Sequence, residues 1–136
     1  MNDDYLKWKD VELVEYEDKY FDYVYELYQD YNSRYLFTSN LNIISKKKMW
    51  EDIKKKMNYT YHQFKIIINT RKQIPVGFIY SYDYNLKDNY LYIAICIEEK
   101  ERNGVVGAEA GMIFLNYLFK SYPIRKVYCT VYEYNR

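Results

Sequence analysis

The sequence has little of what marks secreted, metal-binding or membrane proteins. Its two cysteines, Cys96 and Cys129, and its single histidine, His62, are too few and too far apart for a disulfide framework or a metal site. We therefore expect no metal and two buried free thiols. The longest apolar runs have the length of a strand, and the N-terminus has neither a basic start nor an apolar middle. These absences predict a cytosolic protein without a signal peptide or a membrane span.

An excess of charge is absent as well. Twenty lysines and arginines stand against nineteen acidic residues, which gives a formal net charge of +1. Nucleic acids and acidic membranes attract proteins through an excess of positive charge, so neither partner is expected. The 136 residues, 49% of them hydrophobic, fit one compact domain over residues 1–136. The 20 tyrosines are interpreted as amphipathic aromatic residues at core edges and on sheet faces.

The order of the apolar patterns predicts an α/β fold. In chain order the patterns indicate a strand over 11–17, helices from about residue 21 and after the cap residue Ser45, strands over 63–69, 76–84 and 90–97, a helix from Val106 to near Pro123, and a strand over 126–134. Short turns between the three middle strands favour antiparallel neighbours, whereas the strand-helix-strand unit at the end predicts a parallel pair. We expect a mixed central sheet with helices on both faces. The stripe of the second helix is Met49, Trp50, Ile53 and Met57.

Glycine is scarce, and three of the four glycines, Gly104, Gly107 and Gly111, lie at the start of one predicted helix. Glycine weakens a helix, so the bare backbone must serve another purpose. A helix that starts after a central strand presents unpaired N–H groups, and glycines let an anionic ligand such as a phosphate approach them. Neither G-x-G-x-x-G nor G-K-[ST] is present. The alternative is that Gly107 and Gly111, as G-x-x-x-G, only permit close packing on the sheet.

The stretch "RNGVVGA" resembles the acyl-CoA-binding motif of the GNAT acetyltransferases, [Q/R]-x-x-G-x-[G/A] after a strand. Arg102 takes the first place of the motif and Gly107 the last, while Val105 stands where the motif has its first glycine. The next residues, "AEA", resemble the helix start of the ribosomal-protein N-acetyltransferases. The order of elements matches the family too. The segment "VYCTVYEYN" is similar to the family segment that ends in an asparagine contacting the coenzyme, here Asn135.

The resemblance implies the acyl-CoA N-acyltransferase fold, acetyl-CoA as co-substrate, and acetyl transfer to a primary amine of a small molecule or peptide. It implies that the coenzyme's pyrophosphate lies over residues 102–108 and that its pantetheine pairs with freed backbone at the end of the strand before the motif. The coenzyme-binding residues implied in this way are Cys96, Ile97, Arg102, Asn103, Gly104, Val105, Val106, Gly107, Ala108 and Asn135.

A general base is the remaining requirement, because the attacking amine must be neutral. Glu98, directly after the strand, is the first candidate, and Glu15 on the first strand is the second. The competing interpretation is that both are solvated surface carboxylates, the usual environment of glutamate. For His62, a structural or surface role is favoured over catalysis.

Family members continue past the asparagine with another helix and two strands, whereas this chain stops at Arg136. A C-terminally shortened form of the fold is therefore expected. A strand at the end of the chain would leave edge groups exposed, which favours strand exchange or a homodimer. Two alternatives to an active enzyme stay open. One is a module that keeps the fold without turnover, and the other is an interaction domain that a partner chain completes.

Overall fold

The structure is a computed structural model that describes residues 6–35, 45–59, 61–101 and 104–129, with backbone alone for 30–35. Its elements are β1 (Lys7–Trp8), β2 (Val11–Glu15), α1 (Phe21–Tyr35), α2 (Lys46–Lys56), β3 (Phe64–Asn69), β4 (Ile74–Asn85), β5 (Tyr90–Ile97), α3 (Val106–Ser121) and β6 (Lys126–Cys129), with 3-10 turns over Asp18–Tyr20 and Glu99–Glu101. Within these ranges no helix is long and apolar enough to cross a membrane.

The six strands form one sheet in the order of the sequence, β1-β2-β3-β4-β5-β6. Neighbouring strands are antiparallel from β1 to β5, and β5 and β6 are parallel. The mixed sheet predicted from the apolar patterns is therefore confirmed. The last predicted strand is described as far as Cys129, and its residues 130–134 lie outside the described residues.

Two apolar clusters cover the two faces of the sheet. On one face, Leu13, Ile67 and Leu91 pack with Phe114 and Leu118 of α3. On the other face, the neighbouring strand residues Ile66 and Phe78 pack with residues of α1 and α2, among them Val24, Leu27, Met49 and Ile53. Adjacent residues of one strand, such as Ile66 and Ile67, are thus buried on opposite faces of the sheet. Burial on both faces explains the continuous apolar runs in the sequence.

Helix α2 begins as its cap residue predicts. The Ser45 hydroxyl oxygen accepts a hydrogen bond of 3.1 Å from the backbone N–H of Lys48. The predicted apolar stripe is only half correct, however. Met49 and Ile53 are buried, but Trp50 and Met57 are 41% and 38% exposed, because the surface of α2 that contacts the sheet and α1 is narrower than the apolar stripe.

The predicted burial of both thiols is confirmed for Cys96 and wrong for Cys129. Cys96 lies in the interior strand β5, under α1 and α2. Cys129 lies in β6, whose residues are mostly exposed because this strand is the last one in the described sheet. Exposure at a sheet edge depends on strand order, which a single apolar pattern does not contain.

The fourth glycine, Gly77, brings β4 close to the end of β5. A Cβ atom at this position would overlap with the backbone carbonyl oxygen of Cys96. Gly77 pairs with Ile97, and the backbone N–H of Glu98 donates a hydrogen bond of 3.0 Å to the carbonyl oxygen of Val76. The close approach therefore fixes the backbone at the end of β5, where the candidate site begins.

Candidate active site

The candidate site lies where β5 ends and α3 begins. The backbone N–H of Glu101 donates to the carbonyl oxygen of Glu98 at 2.9 Å, and that of Gly104 donates to Glu101 at 3.2 Å. Two consecutive turns thus lead the chain from the sheet to the helix. The five predicted coenzyme-binding residues from Gly104 to Ala108 form a contiguous surface at the start of α3, with Gly104, Val105 and Ala108 exposed.

The N-terminus of α3 carries no side-chain cap. Val105 precedes the helix with φ −95° and ψ 0°, and its side chain is 65% exposed and has no hydrogen-bonding atom. The first N–H groups of a helix lack intrahelical acceptors, and the helix dipole places partial positive charge there. An anionic group can therefore bind at this end of α3, as a phosphate does at other helix N-termini.

The three glycines near this end are not required by packing. None of them has a positive φ angle. A Cβ atom at Gly107 would lie 3.8 Å from the Ile97 side chain, one at Gly104 would lie 3.6 Å from the Glu101 carbonyl oxygen, and one at Gly111 would meet no atom within 4 Å. These are ordinary contacts or open space, so the close-packing alternative for Gly107 and Gly111 is wrong for the described part of the chain.

Glu98 is held by a tyrosine from the first helix. The Tyr23 hydroxyl donates a hydrogen bond of 2.8 Å to Glu98 Oε2, and Lys100 Nζ lies 4.0 Å from Glu98 Oε1. The Glu98 side chain is 26% exposed. Burial, followed by the hydrogen bond to Glu98, raises the pKa of Tyr23, so this hydroxyl stays protonated and remains a donor. Glu98 is thus an oriented, solvent-accessible carboxylate at the end of β5.

The second candidate base, Glu15, lies elsewhere. It forms an ion pair of 2.7 Å with Lys65, whose side chain is only 3% exposed. The Lys65 ammonium also lies 5.0 Å from the centre of the Tyr117 ring on α3. Two strands, β3 and β4, separate β2 from β5, which places Glu15 about 14 Å or more from the strand that leads to Glu98. Glu15 neutralises a buried lysine and does not reach the site.

Cys96 and Ile97 occupy the end of β5 as predicted, but their side chains are buried on opposite faces of the sheet. With both side chains in the apolar cores, a ligand contact at these residues is left to their backbone groups, and that contact stays a prediction. The described pairing of β5 with β6 runs from Tyr90 to Ile93, so separation of the two strands near Ile97 stays a prediction. Arg102, Asn103 and Asn135, the other predicted coenzyme contacts, lie outside the described residues.

Two features of the site were missed by the sequence reasoning. Tyr23 lies off the apolar stripe of its helix and is one of 20 tyrosines, so no pattern singled it out. Glu109, in the first turn of α3, is buried. The "AEA" stretch contained this residue without indicating its burial.

Metal ligands are not gathered near these residues or elsewhere in the described ranges. No group of three or more histidine, cysteine, aspartate or glutamate side chains in residues 6–35, 45–59, 61–101 and 104–129 is arranged to hold a metal ion.

Comparisons with known proteins identify the fold. No family model matches the sequence, and no curated protein is significantly similar to it. Solved structures do match. The spermidine N-acetyltransferase from Vibrio cholerae in complex with CoA and spermine superimposes with a TM-score of 0.75 at 15% identity, over 88% of this chain and 70% of that one. A GNAT-family acetyltransferase from Bacillus anthracis gives 0.70 at 19% identity, over 93% and 72%.

At 15% and 19% identity these matches show the fold. In this chain the glycine motif lies between strand β5 of the mixed sheet and helix α3. The likeness to ribosomal-protein N-acetyltransferases in particular stays a prediction. The chain has the fold of the GNAT N-acetyltransferases.

Proposed function

We propose that this protein binds acetyl-CoA at the junction of β5 and α3 and transfers the acetyl group to a primary amine. One observation carries the proposal. In a GNAT fold, the uncapped N-terminus of α3 is surrounded by glycines that neither packing nor backbone conformation requires. Bare backbone at that position is what a pyrophosphate needs for close approach to N–H groups.

In this proposal, different residues of the motif and its flanks contact different parts of the coenzyme. The backbone of residues 104–108 and the side chain of Arg102 hold the pyrophosphate, with Asn103 in the same loop. The backbone of Cys96 and Ile97 pairs with the pantetheine, and Asn135 adds a further contact. The spermidine N-acetyltransferase of similar fold was solved with CoA, which supports this assignment of the ligand.

Glu98 is the proposed base. The acceptor amine first loses a proton to the Glu98 carboxylate, directly or through one water, because a protonated amine has no lone pair for attack. The nitrogen then attacks the thioester carbonyl carbon and the carbon–sulfur bond breaks. The coenzyme leaves as a thiolate, and the second proton that the nitrogen loses as the amide forms balances the proton that the thiolate takes up. Tyr23 positions Glu98 through its hydrogen bond to Oε2, and in this proposal the acceptor approaches the other oxygen, Oε1, from which Lys100 Nζ lies 4.0 Å away.

The acceptor is proposed only as a class, a primary amine on a small molecule or peptide. The spermidine N-acetyltransferase was solved with spermine, and one of its structures is a dodecamer. We propose self-association for this chain as well, and mass in solution tests it.

Calorimetric titration with acetyl-CoA tests the binding site. Gly107→Glu places a negative charge at the start of α3 and should weaken binding at least about tenfold. Gly111→Glu is the matched control, since its new side chain enters open space one turn further along the helix. It should weaken binding far less. If the folded wild-type protein shows no saturable binding, the proposed function is wrong.

Release of free thiol from acetyl-CoA in the presence of a panel of amines then tests catalysis. Amine-dependent release that is abolished in Glu98→Gln supports the transferase. Coenzyme binding without release by any amine would identify a module that keeps the fold and the ligand without turnover.

A further inference from the structure

A pocket lies at the opposite end of the sheet from Glu98. Its volume is about 460 Å³, and it is lined by Tyr59, Tyr61, His62, Tyr82, Asp83 and Tyr84, with one exposed leucine at its margin. On β4, Tyr82 pairs with Tyr92, whereas Gly77 pairs with Ile97 next to the candidate active site. Tyr82 lies five residues along β4 from Gly77, which corresponds to a distance of roughly 17 Å. The pocket is therefore distinct from the proposed coenzyme site.

The walls of this pocket combine four tyrosine rings with one carboxylate, that of Asp83. No lysine or arginine is among the described residues that line it. None of the ion pairs among the described residues involves Asp83. The nearby Lys56 is paired with Asp52 at 3.2 Å. Burial and the charge of Lys56 lower the pKa of His62, so this wall residue is neutral at pH 7. Among the described lining residues, the full charge is that of the Asp83 carboxylate, which is negative.

The backbone around the pocket is held in an unusual conformation. Tyr61 has φ 68° and Asp83 has φ 51°, both in the left-handed region that non-glycine residues rarely adopt. Asp83 lies at a bulge, where the pairing of β4 with β5 shifts register. The buried Ser81 hydroxyl donates to the Tyr61 carbonyl oxygen at 2.7 Å and accepts from the Gln63 N–H at 2.9 Å. Such strain persists where surrounding contacts impose it, and it is concentrated at ligand sites.

The aromatic walls are also fixed in position. The rings of Tyr61 and Tyr84 stack with centroids 4.0 Å apart, and Tyr122 packs edge-on against Tyr61 at 4.5 Å. The Tyr84 hydroxyl donates a hydrogen bond of 2.8 Å to Asn89 Oδ1. Tyr82 contacts the rings of Tyr80 and Tyr92, each at 5.6 Å. A ligand would therefore meet a preformed aromatic surface, which lowers the entropy cost of binding.

We propose that this pocket binds a methylated ammonium cation, held by tyrosine rings and by the carboxylate of Asp83. Aromatic rings attract cations through their electron-rich faces, and quaternary ammonium groups are the ligands that aromatic cages recognise. A primary ammonium presents three N–H donors and needs as many acceptors. The described lining is rich in rings and carries one carboxylate, and both attract a quaternary ammonium, which needs no hydrogen-bond acceptor. A quaternary ammonium cannot be acetylated on nitrogen, so the site is separate from the acceptor site.

Choline and its neutral isostere 3,3-dimethyl-1-butanol, in which carbon replaces the charged nitrogen, provide the test. Both are titrated into the full chain, and backbone amide shifts are followed by NMR. We expect saturable shifts at residues 61–62 and 82–86 with choline and at least about fivefold weaker binding of the alcohol, since the charge–carboxylate attraction is lost. Equal binding of the two compounds, or no shift with choline up to about 10 mM, would overturn the proposal.

Asp83→Asn tests the contribution of the negative charge to choline binding while keeping the shape of the side chain. Asparagine tolerates the left-handed backbone as aspartate does, so the bulge is retained while the negative charge is removed. Choline binding should weaken at least about fivefold, with an unchanged amide spectrum elsewhere. Asp88→Asn, an exposed carboxylate in the turn between β4 and β5, is the matched control and should leave choline binding unchanged. Tyr82→Leu keeps apolar bulk and should also weaken binding. Unchanged binding by Asp83→Asn would show that the carboxylate has no part in the site.

Discussion

The Tyr23 hydroxyl and the Glu98 carboxylate, 75 positions apart in sequence, meet at 2.8 Å across the space between α1 and the end of β5. The bond connects the first helix to the residue from which the turns toward α3 begin. Because burial and Glu98 raise the pKa of Tyr23, the hydroxyl donates throughout the neutral range. One contact thus links the packing of α1 on the sheet to the orientation of the proposed base.

Tyr23→Phe removes this donor and little else. A hydrogen bond to a charged group contributes about 1.5–3 kcal/mol, and the partial exposure of Glu98 favours the lower value. We expect the free energy of unfolding in urea to fall by about 1.5 kcal/mol. We also expect kcat to fall while the KM for acetyl-CoA is unchanged, because the tyrosine positions the base and not the coenzyme. Tyr20→Phe, on the 3-10 turn that precedes α1, is the control. An equal loss in both variants would argue against a specific role for Tyr23.

Glu98→Gln keeps an oxygen that can accept from Tyr23 but removes the basic carboxylate. We expect kcat to fall about 10²- to 10⁴-fold, the usual contribution of a positioned general base. Acetyl-CoA affinity, measured by calorimetry, should be retained. Glu51→Gln, an exposed glutamate on α2, serves as the control and should have wild-type activity. Retention of full activity by Glu98→Gln would assign the base to another group or to solvent.

Most of the fold could be predicted from the sequence because its signals are local. The apolar patterns located strands β2 to β6 and the three helices, though not the two-residue strand β1, and the Ser45 hydroxyl forms the predicted cap. The strand-helix-strand order predicted the parallel pairing of β5 and β6. The glycines near α3 were identified by their scarcity, and the structure adds that packing does not account for them.

What could not be predicted depends on contacts between distant residues. Lys65 interrupts an apolar strand and would be expected in solvent, yet it is buried because Glu15 and the Tyr117 ring accommodate its charge. The Tyr23 and Glu98 contact has no signal in spacing. The aromatic pocket around Asp83 depends on a bulge and on two left-handed residues, which no pattern in a single sequence indicates.

We expect Tyr16 to make the stability of the folded protein depend on pH in the alkaline range. Its ring is buried against Phe64, with centroids 4.8 Å apart, and its hydroxyl has no hydrogen-bond partner among the described residues. Burial, with a smaller effect of Asp18, raises the pKa of Tyr16 to about 12 from 10.0. The neutral form is therefore favoured in the folded protein, and its contribution to stability is complete below pH 10 and is lost as the pH rises from 10 to 12.

Tyr16→Phe isolates that contribution. At pH 7 the variant should be as stable as the wild type or slightly more so, because it removes a buried hydroxyl without a partner. Between pH 10 and 12 the wild type should lose about 2 kcal/mol more stability than the variant, from a shift of about two pKa units. Urea unfolding at pH 7, 10 and 11.5 measures the difference. Parallel pH profiles for the two proteins would contradict the buried, neutral state of Tyr16.

The glycines give a prediction that separates packing from ligand binding. At Gly77 an added Cβ atom would overlap with backbone, so Gly77→Ala should destabilise the fold by about 2 kcal/mol or more. At Gly111 the added atom meets nothing within 4 Å, so Gly111→Ala should stabilise α3 by about 0.5–1 kcal/mol.

Gly107→Gln is the decisive comparison. A Cβ atom at this position makes only an ordinary contact with Ile97, so the variant should be at least as stable as the wild type. The motif accepts only glycine or alanine at this place, and the longer glutamine side chain would lie where the pyrophosphate must approach the helix N-terminus, so acetyl-CoA affinity should fall severalfold. Stability that rises while affinity falls would show that Gly107 is retained for the ligand. A rise in stability with unchanged affinity would place the coenzyme elsewhere, and a fall in stability would restore a packing role for this glycine.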